Sequence, residues 1–117
     1  MTRLEALTQL RDKVKAEYSR VKVEEAAFAV WQDGGDHINA VRASAAFYGS
    51  LDAAKALHEA VLHERVFVEI HWSKRYEDES RVSINLGRDG WVASSDTLAR
   101  AWLLAILEAL IAQEQNA

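Results

Sequence analysis

The chain has 117 residues, half of them apolar and 27% charged, with a net charge of −4 and neither cysteine nor proline. That mix belongs to one folded domain spanning 1–117 rather than to a disordered tail, and its mild acidity leaves no electrostatic basis for non-specific nucleic-acid binding. Without cysteine there are no disulfides, no thiolate chemistry and no cysteine-based zinc site.

Residues 2–31 contain neither glycine nor proline, and Leu7, Val14, Val21 and Phe28 recur every seven positions. The spacing predicts an N-terminal amphipathic helix over 2–32, or a helix pair broken near Ser19. Arg3, Glu5, Arg11, Asp12 and Lys13 interrupt anything that could serve as the apolar region of a signal peptide. Asp33-Gly34-Gly35-Asp36 then ends the helix. Asp33, Asp36 and His37 lack the further oxygen ligands a calcium loop needs, so the segment reads as a turn and no metal is expected.

The remaining core, 36–115, opens with a helix over 36–48 whose face is read from Ile38, Val41, Ala45 and Tyr48. Gly49 interrupts it, and Ser50 is a natural N-cap for 51–62, where Leu51, Ala54, Leu57, Val61 and Leu62 share a face. The period then changes to two. Residues 66–72 and 81–86 alternate as half-buried strands joined by a polar hairpin connection over 73–80. A tight turn over 87–90 leads to a third short strand, 91–94, and Ser94 or Ser95 is expected to cap the last helix. The expected class is therefore α+β, a small antiparallel three-stranded sheet packed between helices as an α/β/α sandwich.

The last helix, 96 to about 115, is the most apolar part of the chain. Between Leu98 and Ala112 only Arg100 and Glu108 are polar; they lie eight apart, with Leu104 midway between them and Ile111 one turn beyond. Its longest apolar stretch, 101–112, contains Glu108 and falls short of the roughly 20 residues that cross a bilayer. Such a helix is buried on several sides. A small domain offers few partners for it, so part of that surface is expected to meet a second subunit. Trp102, Leu104 and Ile111, with Leu7, Val14, Val21 and Phe28, are the expected interface of a homo-oligomer.

Chemistry is sparse. His58 and His63 flank Glu59 in the manner of a zinc-protease motif, but five residues apart they sit roughly 140° around a helix and cannot share a metal. Both read as surface or helix-end residues. His71 and Glu69 alternate onto the polar face of the first strand, near Ser83 and Asn85 of the second. This is either a ligand site or an ordinary solvated sheet face. Lys74, Arg75 and Tyr76, with Arg81 and Arg88 close by, gather cations around an aromatic in a way that suits a phosphate or nucleotide, although Glu77, Asp78 and Glu79 offset the charge. Glu69, His71, Lys74, Arg75, Tyr76, Arg81, Ser83 and Arg88 are accordingly the candidate ligand-binding residues. There is no nucleophile elbow, phosphate-cradling glycine loop or carboxylate pair, so no catalytic residue and no cofactor is expected.

The run Gly49-Ser50-Leu51-Asp52-Ala53-Ala54-Lys55-Ala56-Leu57, then Trp91-Val92-Ala93, then Thr97-Leu98-Ala99-Arg100-Ala101-Trp102-Leu103-Leu104-Ala105-Ile106-Leu107-Glu108-Ala109-Leu110, resembles the phage ABA sandwich domain family. The likeness covers 49–112. Where members look to carry a Pro-Gly-Trp turn, this chain has His63-Glu64-Arg65. The resemblance implies a phage or prophage accessory protein of the bacterial host cytoplasm and transfers no catalytic residue. The expectation is a non-enzymatic oligomeric binding protein of anti-defence type, engaging a host protein or sequestering a nucleotide signal. A small nucleotide-processing hydrolase using His71 with Glu69 is the alternative, and an assembly factor a third.

Overall fold

The computed structural model describes residues 2–16, 30, 38–62, 67–72, 80–86, 89–95 and 97–116; within the strands, side chains are described at 84, 90–93 and 95. In chain order the elements are α1 (Arg3–Lys15), α2 (Ile38–Phe47), α3 (Leu51–Val61), β1 (Phe67–Trp72), β2 (Ser80–Leu86), β3 (Asp89–Ser95) and α4 (Leu98–Gln115).

Each helix begins or ends where local chemistry dictates. The Thr2 hydroxyl accepts from the Glu5 amide at 3.1 Å and starts α1. Ala16 is extended, so α1 stops at Lys15 and a single unbroken helix over 2–32 does not form. The companion positions Val21 and Phe28 lie outside the described residues. Helix α2 closes with a Schellman arrangement: Ser50 N–H donates to Ala45 O and Gly49 N–H to Ala46 O, both at 3.0 Å, with Gly49 at φ +107°. The Ser50 hydroxyl then accepts from the Ala53 amide at 3.1 Å and opens α3. The last helix is capped by Thr97, whose hydroxyl accepts from Arg100 N–H. Neither serine expected in that role takes it; β3 runs through Ser95 before the chain turns.

The backbones of β1, β2 and β3 pair antiparallel in that order, with Val68 opposite Ile84 and Ile84 opposite Trp91. Ile84 is fully buried, and Trp91 and Ala93 pack on the same core. Helix α4 lies against β2 and β3, and α1, α2 and α3 pack around its remaining sides.

The expected α+β sandwich, with the sheet held between helices, is overturned by this arrangement. Helix makes up 79% of the fully described residues. The central layer is α4, and among the described elements the sheet's extensive contacts are with α4 alone. The physical reason is the composition of α4. A helix apolar on every side cannot serve as an outer layer, and it settles at the middle, where the other elements can cover it.

That coverage is nearly complete. Ala101 and Leu103 to Leu107 are all buried, as are Trp102, Ala109, Leu110 and Ile111. Leu104, expected to interrupt a solvated face, is 3% exposed. Its polar neighbours are engaged within the chain. Arg100 Nε donates to Phe47 O at 3.3 Å, and its guanidinium lies 4.3 Å from the Phe47 ring centroid, closing the end of α2. Glu108 pairs with Arg11 and Lys15 of α1, each at 3.6 Å, and Arg3 pairs with Glu114 at 3.4 Å. As α1 advances from Arg3 to Lys15 its partner retreats from Glu114 to Glu108, so the two helices run antiparallel. Ala6, Leu7, Leu10 and Val14 fill the seam between them.

Candidate functional site

Sheet pairing places some of the expected ligand-binding residues together by backbone position. Glu69 is opposite Ser83, which is opposite Val92; His71 is opposite Arg81, which is opposite Ser94. Successive strand residues alternate between faces. The row containing Ile84, Trp91 and Ala93 meets the core, while Val92, between Trp91 and Ala93, is 60% exposed. Glu69, His71, Arg81 and Ser83 therefore occupy positions on the face turned away from α4, two adjacent cross-strand pairs whose Cβ atoms are typically about 5 Å apart. By residue type these four positions carry one acid, one cation, an imidazole and a hydroxyl. Lys74, Arg75, Tyr76 and Arg88 lie outside the described residues. Among the described residues no group of three acids or histidines is placed to hold a metal ion.

The expected oligomer interface needs correction. Leu7 and Val14 are buried against α4, and Trp102, Leu104 and Ile111 are each at most 7% exposed within one chain. These five side chains are core. Three described helices and two strands surround α4, enough to cover it within one chain where few partners were expected.

One further residue changes role. His58, read from the sequence as a surface or helix-end residue, lies in the last turn of α3 but is buried, and its Nδ1 accepts from the Trp102 indole N–H at 3.2 Å with the rings edge-on. His63 lies outside the described residues. The face assigned to α2 is also reversed. Asn39, Ala40, Ala43, Ala46 and Phe47 are buried, and the Asn39 amide donates to Val30 O at 3.3 Å. Ile38, Val41 and Tyr48, taken as the buried stripe, are 47%, 51% and 63% exposed, and Leu51 at the start of α3 is 44% exposed. These are the surface residues that sequence reasoning missed. The available signal was that α2 carries two apolar stripes on opposite sides, only one of which can face α4.

No family model, curated protein or solved structure matches the chain. The likeness of 49–112 to phage ABA sandwich proteins accordingly gains no support from these searches. No described helix is long and apolar enough to cross a membrane.

Proposed function

We propose that this chain is a non-enzymatic binding protein that engages its target through the outer face of the sheet. The observation that carries the reading is the register grouping Glu69, His71, Arg81 and Ser83 on the face that α4 leaves uncovered. Arg81 supplies the charge to attract an anionic group, and His71 and Ser83 supply hydrogen bonds to orient it; Glu69 restricts which anions fit. A nucleotide signal or an acidic host-protein surface has the required chemistry. With the family likeness of 49–112, this suits a phage or prophage accessory protein acting against host defence in the bacterial cytoplasm, of the kind that blocks a defence complex or sequesters its nucleotide messenger.

The rival reading is a small nucleotide hydrolase, favoured by His71 and Glu69 standing two residues apart on one strand face. Thermal-shift measurements against a nucleotide panel, with product analysis, separate the two. Stabilisation without turnover, abolished by Arg81→Ala, is the expected result. Turnover lost in His71→Ala would establish the hydrolase instead. No response to any nucleotide would move the target to a protein, read next by pull-down with the Arg81→Ala chain as control.

A further inference from the structure

The outward side of α2 differs from those of its neighbours. Helix α1 turns Glu5, Gln9, Asp12 and Lys15 to solvent, and α3 turns Asp52, Lys55 and Glu59. Helix α2 turns out Ile38, Val41 and Tyr48, with Ala45 half-covered between them and Leu51 continuing the patch across the corner. At 100° per residue this stripe is opposite the mean direction of the buried residues Asn39, Ala40, Ala43, Ala46 and Phe47. A helix apolar on two opposite sides has a second surface to cover. From its fractional exposures the patch presents on the order of 400 Å² of apolar surface, the size of the largest patch on a typical monomer. It is about half of the ~800 Å² per partner in a standard interface, the balance falling to the rim of Arg42, Ser44, Asp52 and Lys55.

We propose that a second copy of this chain covers the patch, α2 against α2, in antiparallel two-fold register. The size order along the stripe is self-complementary in that register. Reversal about the midpoint between Val41 and Ala45 sets Ile38 against the partner copy's Tyr48 position and Val41 against its Ala45 position, a branched side chain over a small one. The charges agree as well. The first turn of α2 carries no acid, and the same reversal brings the Asp52 end of the other copy's α3 beside that helix N-terminus, where a carboxylate is favoured. Arg42, near the two-fold axis, has its Nη1 held on Asn39 Oδ1 at 3.1 Å, towards the buried side and off the stripe. This surface is independent of the outer sheet face, and of whether that face binds a nucleotide or a protein.

The test uses the intact chain, which has no cysteine of its own. Sedimentation equilibrium from low to high micromolar concentration should show a monomer–dimer equilibrium, and Val41→Lys should leave a monomer of unchanged circular dichroism. Oxidising a mixture of Ile38→Cys and Tyr48→Cys chains should cross-link the two to each other severalfold more than either to itself. A monomer at every concentration, or a dimer indifferent to Val41→Lys, overturns the proposal. Preferential self-cross-linking of Ile38→Cys overturns the antiparallel register.

Discussion

The His58–Trp102 contact shows how a single polar pair fixes the meeting of two apolar helices. Both rings are buried, and the indole N–H has an acceptor at 3.2 Å that no aliphatic neighbour could supply. For Nδ1 to accept, it must carry a lone pair, so the ring proton belongs on Nε2. Trp102→Phe keeps the ring and removes the donor. It should lower stability by about 1–3 kcal/mol, because the imidazole stays buried without that partner; an unchanged urea midpoint would show the bond contributes nothing. Gly49 offers a second test of a different kind. An added Cβ meets nothing within 4 Å, yet φ is +107°. Gly49→Ala should therefore cost about 1–2 kcal/mol through the backbone alone, seen as a lowered melting temperature.

At the level of elements, the informative contrast lies within one turn of α4. Leu104 is enclosed by the chain itself, whereas Glu108 sits at a half-open seam with α1. Leu104→Ala should cost roughly 2–5 kcal/mol by leaving a cavity, and Leu104→Lys should unfold the monomer rather than dissociate an assembly. Glu108→Gln should cost less than about 1 kcal/mol, diminishing as salt is raised, since both ion pairs are partly solvated. Denaturation of the three variants side by side checks this order. The elements themselves were legible because periodicity and capping are local: Ser50 before α3, the glycine after Tyr48, and the alternation around Ile84 each report on a few neighbouring residues. The side that α2 buries was not, although the faces read for α1 and α3 are buried apart from Leu51. Ile38-Val41-Ala45-Tyr48 and Ala40-Ala43-Ala46-Phe47 are both apolar stripes, and only the position of α4 decides between them. The candidate ligand site was half legible for the same reason. Alternation put Glu69 with His71 and set them near Ser83, but the register that pairs Glu69 with Ser83 and His71 with Arg81 is a property of paired strands.

Across the whole molecule, stability converges on one helix. Every described helix and two of the three strands pack on α4, and its contact with α1 joins residues 111 positions apart at Arg3 and Glu114. Opening any other element exposes one of its faces, while exposing α4 entirely requires opening everything. Hydrogen exchange should therefore be slowest along the middle of α4, at Leu103 to Leu107, and should approach the global unfolding free energy there. Faster exchange in those amides than in α3 would show that the helical layer opens as an independent unit.

The order in which a ribosome releases these elements gives the central helix a temporal meaning. Helices α1, α2 and α3 and the strands all emerge before residue 98, each with an apolar side and without the partner that covers it. Local turns, the α2–α3 contact and strand pairing can form on the growing chain, but the sides that face α4 stay uncovered until it emerges. Chains arrested before residue 98 should accordingly be cut rapidly by protease, and resistance should appear abruptly once α4 clears the exit tunnel. Until then the unfinished molecule is a substrate for chaperones, and its exposure ends in one step rather than by degrees.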